Sequence, residues 1–188
     1  EFLQKLLTPK GDEVMVTREE ISAMADVAEE SGELDEDENE VIQNLIGLED
    51  LHADSAMTPR VVCAVAEESM TVGRFYKDKR FLHHSRIPVY SQSQDYISGY
   101  VLRMDALQLV ADDKKDVPLG SIKREIASFQ KEMPLDEIWG EMISKDEQIA
   151  VIIDEYGSFQ GILTLEDVIE TILGDEIVDE QDAVRDMQ

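Results

Sequence analysis

Two periodicities divide the chain. From Thr17 to Leu48 apolar residues return every three or four positions, first Ile21, Met24, Ala25 and Ala28, then Val41, Ile42, Leu45, Ile46 and Leu48. That spacing predicts helices over about 18–30 and 36–48. Thr17 with Glu20 and Asp35 with Glu38 supply capping boxes, and Gly32 a stop. Beyond residue 56, short unbroken apolar runs take over, which predicts strands at 61–65, 87–90, 97–101, 149–153 and 159–163. Helices are predicted between them, from about Val72 to Leu82, after Leu102, from Pro134 along Leu135, Ile138, Trp139, Met142 and Ile143, and from Thr164 to Leu173 with Gly174 as the stop. Residues 154–158, ending in Tyr156, Gly157 and Ser158, read as a hairpin turn.

The second half repeats itself. Ile87, Val89, Gly99, Val101, Asp105 and Leu107 match Ile149, Val151, Gly161, Leu163, Asp167 and Ile169 at a constant offset of 62. Units of this size are each too small to bury a core well alone, so they should pack as one pseudo-symmetric pair. The expected architecture is α+β: an acidic helical segment at 1–56, a first unit at 57–118, a second at 119–180 and a tail at 181–188. The apolar faces of Val168, Ile169, Ile172 and Leu173, beside Val72, Phe75 and Leu82, exceed what each sheet can cover and predict a homodimer through helix faces.

Composition narrows the functions. The 188 residues carry 17 Lys and Arg against 43 Asp and Glu, a net charge of −26, and 43% are hydrophobic. That is too apolar for a disordered acidic tail, and it leaves no basic patch to attract nucleic acid or anionic lipid. The single cysteine, Cys63, lies in an apolar run, which predicts a buried thiol in a reduced compartment. The longest apolar run is far below the ~18 residues of a membrane span. The chain opens on Glu1 and not on methionine, which suggests a piece of something longer.

No G-x-G-x-x-G, G-x-x-x-x-G-K-[ST], G-x-S-x-G or H-E-x-x-H occurs. His83 and His84 are neighbours, so they cannot chelate one metal as an i, i+4 pair would. The acidic run at 35–40 resembles the start of a calcium loop, but Glu40 replaces the turn glycine and Ile46 the bidentate acid. A hydrolase is disfavoured by the lack of a nucleophile–base pair. What remains is the junction from Gly161 to Asp167, where a buried strand enters a capped helix. Free backbone N–H groups and the helix dipole converge there, Thr164 adds a hydroxyl, and Asp167 can accept two hydrogen bonds from a vicinal diol. Thr164 as a mere cap, with Asp167 favouring the dipole, is the competing reading.

At these residues a resemblance appears. Each unit ends in glycine, two apolar residues, a variable position and an aspartate six residues after the glycine, which resembles a tandem CBS-domain pair. Met57-Thr58-Pro59-Arg60, Ser85-Arg86-Ile87-Pro88-Val89-Tyr90, Ile152-Ile153-Asp154-Glu155-Tyr156-Gly157, and Gly161-Ile162-Leu163-Thr164-Leu165-Glu166-Asp167 with Glu170 and Gly174-Asp175-Glu176-Ile177 are similar to the CorC/CNNM magnesium and cobalt transporters, historically called haemolysin-like. The resemblance implies a non-enzymatic regulatory module at the cytoplasmic face of the inner or plasma membrane, with a transmembrane domain preceding Glu1. It also implies adenine nucleotide, mainly ATP with Mg²⁺ (ADP or AMP as alternatives), between the two units, with the metal held through the phosphates. Thr58, His84, Ser85, Arg86, Ile87 and Pro88 would bracket base and phosphates; Leu163, Thr164 and Asp167 would hold phosphate and ribose. Relatives often have an aromatic at His84. Leu102 stands where the first unit would need its Thr164, so the second cleft should be the weaker. A ligand-free dimerisation module is the alternative.

Overall fold

The computed structural model describes residues 16–174. The motif positions 175–177, the end of the second unit and the tail at 181–188 lie outside the described residues. The chain divides into two compact units, one ending at Ile46 and the other beginning at Gly47. This boundary lies ten residues before the one expected at 56, because Leu48 and Ala53 are fully buried among Leu135, Ile138 and Leu163.

In the first unit, α1 (Arg18–Glu30) and α2 (Glu36–Gly47) form a hairpin about Gly32, whose φ of +76° suits a residue without Cβ. Both capping boxes form. The seam between the helices is polar. Asn39, 7% exposed, donates to Asp26 and Glu29, and Gln43 donates to Asp26 and to the Ser22 carbonyl. Ile21 and Met24, expected as the buried stripe, are 42% and 57% exposed, while Ala25 is buried.

The second unit holds two layered halves. The strands are β1 (Thr58–Pro59), β2 (Ala66–Glu67), β3 (Arg86–Tyr90) and β4 (Ile97–Leu102), followed by β5 (Ala127–Gln130), β6 (Ile149–Ile153) and β7 (Phe159–Thr164). One sheet has the order β2-β3-β4, the other β1-β7-β6-β5. In each, a helix crosses between two parallel strands and a hairpin adds the third: α4 (Val72–Lys77) joins β2 to β3, and α6 (Leu135–Lys145) joins β5 to β6. The one-turn α3 (Ala53–Ala56) leads into β1, while α5 (Arg103–Ala111) and α7 (Leu165–Leu173) follow the hairpins. One core gathers Val72, Phe75, Phe81, Ile87, Val89 and Val101; the other gathers Leu135, Ile138, Met142, Ile152, Leu163 and Val168.

β1 belongs by sequence to the first half but pairs with β7 of the second, Thr58 opposite Ile162 and Pro59 opposite Gly161. The other half returns the exchange through the bridge Tyr100–Arg124. Both crossings depend on a glycine. A Cβ on Gly161 would sit 2.5 Å from the Thr58 carbonyl oxygen, and one on Gly99 would meet the Arg124 carbonyl as closely.

Strand pairing corrects the duplication. Gly99 faces Val89, whereas Gly161 faces Ile152, so Val89 matches Ile152 and Ile87 matches Ala150. The offset is 63 up to β3 and 62 from β4 onward, because the first hairpin loop is one residue longer. At 61–65 there is no strand. Val61 and Val62 are 87% and 67% exposed, and Cys63 is half-buried. This apolar run is a loop whose side chains have no sheet to cover.

Candidate functional site

The site begins with the crossing just described. β1 carries Thr58 across to β7, and the chain then loops through 59–65 before entering β2. Behind this loop lies a cleft of about 330 Å³ between the two halves, at the low end of the range of ligand pockets, about 300–1,000 Å³. Its walls come from three places. The loop presents Val62, Cys63 and Ala64; the entry to β3 presents His83, His84, Ser85, Arg86 and Pro88; and the β7–α7 junction presents Ile162, Thr164, Glu166 and Asp167.

Seven of the nine expected residues therefore line one cavity. Ile87 and Leu163 do not. Both side chains are fully buried in the two cores, because alternate residues of a strand face opposite sides. Sequence reading missed the loop wall of Val62, Cys63 and Ala64, besides His83, Ile149, Ile162 and Glu166. The loop's signal was an apolar run too long for the two-residue strand that follows it.

Thr164 and Asp167 close on each other. Thr164 Oγ1 donates to Asp167 Oδ2 at 2.8 Å and accepts from the Asp167 amide at 3.2 Å, while the Thr164 amide donates to the same Oδ2 at 2.7 Å. This capping box starts α7, and Gly174, at φ +77°, ends it. All three contacts spare Oδ1, which is left to accept from a ligand. Burial raises the Asp167 pKa above the usual carboxylate value; its bonds to Thr164 oppose that, and Glu166 adds to it. Burial likewise raises the pKa of the Cys63 thiol, whose Sγ lies 3.3 Å from the carbonyl oxygens of Thr58 and Pro59.

The opposite wall is basic. Arg86 makes no ion pair among the described residues. The His84 pKa is lowered, first by desolvation and then by His83 and Arg103. The cleft thus sets one unpaired guanidinium and two imidazoles across from a helix N-terminus bearing two carboxylates. Anionic groups fit the first wall and hydroxyl groups the second.

The pseudo-symmetric second cleft is built differently. By strand pairing Arg124 matches Thr58, and its Nη2 lies 2.9 Å from Asp105 Oδ2, on the aspartate that matches Asp167. Eight positions separate Thr58 from Ala66, but five separate Arg124 from the matching Phe129, so the wall loop is three residues shorter. Asp146, Glu147, Gln148 and Ile149 replace His83, His84, Ser85 and Arg86, and Leu102 caps nothing with its side chain.

Two exchanged β-α-β units with this glycine-to-aspartate junction define a tandem CBS-domain pair, and the CBS-domain family model matches residues 115–174. A solved structure of the CBS domain of the bacterial CNNM/CorC family Mg²⁺ transporter is 32% identical, with a TM-score of 0.81 over 88% of this chain and 100% of that one. The chain belongs to this CNNM/CorC family of CBS domains. A second structure of that domain, in complex with ATP, matches with a TM-score of 0.69 at 32% identity over 73% of this chain and 98% of that one. Among curated proteins, a putative chloroplastic DUF21 domain-containing protein of Arabidopsis thaliana is 34% identical over 98% of this chain, and the magnesium and cobalt efflux protein CorC of Escherichia coli K12 is 26% identical over 90%. The chain spans 28% and 58% of the lengths of those two relatives. Among the described residues no helix is long and apolar enough to cross a membrane.

Proposed function

We propose that this module binds one adenine nucleotide, as its Mg²⁺ complex, in the cleft beneath the 59–65 loop, and passes ATP and Mg²⁺ status to an ion-transporting membrane domain of a longer protein. The proposed role is regulatory and not catalytic. The observation that carries this reading is the division of the cleft walls. Arg86 offers an unpaired cation for phosphates, Asp167 Oδ1 an acceptor for a ribose diol, and Val62, Ala64 and Pro88 an apolar surface for a base. The solved CNNM/CorC CBS domain with ATP supports the choice of ligand. Mg²⁺ has a physical role on a chain of −26 charge, because Glu166 and Asp167 line the cleft itself, well inside the ~8 Å screening length. The metal offsets their repulsion of the triphosphate.

Calorimetric titration with MgATP tests the reading, with one site per chain expected. A second reading rests on the closed Thr164–Asp167 pair, which satisfies itself without ligand: a structural dimerisation module that binds nothing. No heat and no thermal shift with MgATP would favour it. Dimerisation is common to both readings. Val168, Val72 and Phe75, expected on the dimer face, are core residues, so the surface left for it is Ile169 and Leu173, with Leu82 and Tyr76 beside an apolar groove of about 200 Å³. Light scattering at micromolar concentration should return the mass of a dimer; a monomer would contradict it.

A further inference from the structure

The cleft holds a titratable group that the reading above leaves without a task. His84 lines it beside His83 and Arg86, and the guanidinium of Arg103, at the start of α5, approaches from behind while donating to the Leu82 carbonyl. Across the cleft stand Glu166 and Asp167 on α7. The match to His84 in the second cleft is Glu147, so an imidazole is not a requirement of the fold at this position. With a desolvated ring and with His83 and Arg103 acting on it, His84 gains little from a proton while the cleft is empty.

We propose that His84 is a specificity-determining residue that takes up a proton as polyphosphate enters, so that the cleft favours a nucleoside triphosphate over a monophosphate increasingly as pH falls. The inference rests on the nucleotide reading of this cleft. A phosphate chain drawn to Arg86 comes within two residues of His84 and brings several negative charges to a ring whose field in the empty cleft comes first from His83 and Arg103. Opposite charge within about 4–6 Å favours the protonated form, and each unit of pKa displacement is a tenfold change in affinity. The sign follows from linkage. The empty cleft holds His84 below the ordinary value of about 6.5 and the filled cleft raises it, so affinity climbs as pH falls from the filled pKa toward the empty one and levels off beneath it. A monophosphate carries less charge to the ring and gains less.

The test is calorimetry of the full chain with MgATP and with AMP from pH 8 to pH 6, in pairs of buffers with different ionisation enthalpies, for the parent and for His84→Gln. The expected result is proton uptake with MgATP that is smaller with AMP and lost in His84→Gln, and an ATP-to-AMP preference that rises by up to about tenfold across the range in the parent beyond any rise in the variant. Protonation of the ligand's own phosphates is common to both chains and cancels in the comparison. MgATP binding with the same pH profile and proton count in both chains would overturn the proposal and leave the nucleotide reading standing. No binding of either nucleotide at any pH would overturn both.

Discussion

Gly161→Ala should be clearly destabilising although it adds a single methyl group. The added Cβ would lie 2.5 Å from the Thr58 carbonyl oxygen and 2.9 Å from Met57 Sδ. The sulfur belongs to a flexible side chain and can yield. The carbonyl cannot, because the Thr58–Ile162 pair and the hydrogen bond from the Arg60 amide to the Gln160 carbonyl, 2.8 Å, pin β1 against β7. Overpacking of this kind costs about 1–3 kcal/mol, and a chain of this size loses about 2–4 °C of melting temperature per kcal/mol. Thermal melts by circular dichroism should therefore place Gly161→Ala about 2–12 °C below the parent. The variant should also bind MgATP more weakly, because β1 is what holds Thr58 on the cleft wall. Gly140→Ala is the control. It lies on the exposed face of α6, where a Cβ meets nothing within 4 Å, and exchanging a helical glycine for alanine stabilises by about 0.5–1 kcal/mol. A Gly161→Ala melt indistinguishable from the parent would refute the argument that the crossing strand needs a bare backbone.

The other expectations are smaller in scope. Thr164→Ile removes both the cap and the hydroxyl that a ligand would meet. Losing the cap should destabilise by about 0.5–2 kcal/mol in a melt, and losing a hydrogen bond to a charged group should weaken MgATP about 10- to 150-fold by calorimetry; unchanged affinity would exclude Thr164 from the site. Asp105→Asn breaks an exposed ion pair with Arg124, a contact worth about 0–1 kcal/mol, so melting temperature and MgATP affinity should both stay near the parent's. MgATP at 100 times its dissociation constant should add about 2.7 kcal/mol to folding, a rise of about 5–10 °C by fluorimetry. ATP with EDTA should give much less, and equal shifts would contradict the charge argument.

Local chemistry made α7 readable from its residues. Thr164, Asp167 and Gly174 each state a boundary by their own hydrogen bonds and backbone freedom, and those contacts depend on nothing distant. The register of β6 was not readable. Its five residues are all apolar, so sliding the repeat by one position leaves every match apolar, and only the pairing with β7 separates an offset of 62 from 63. The same holds for 61–65. A run of five apolar residues reads as a strand by composition, but it pairs with nothing: β1 before it pairs with β7, and β2 after it pairs with β3. The cleft was legible in its polar members and not in its apolar wall, because polar groups announce a chemistry while apolar ones announce only burial. In the helical hairpin, Asn39 and Gln43 hold the seam, while Ile21 and Met24, whose spacing predicts the helix, are exposed.

The unequal pair of clefts has a mechanical consequence. One seam between the CBS units has a short connection with the Tyr100–Arg124 bridge and Arg124 beside Asp105; the other is crossed by β1 on β7 and followed by a longer loop, with the cleft behind it. Backbone pairing ties both edges, so what differs between them is slack, and the longer connection has more of it. A ligand drawing Arg86 toward the start of α7 would therefore be accommodated more by the longer loop than by the shorter connection. Three residues of connection separate a seam that holds a cleft from one that holds an ion pair.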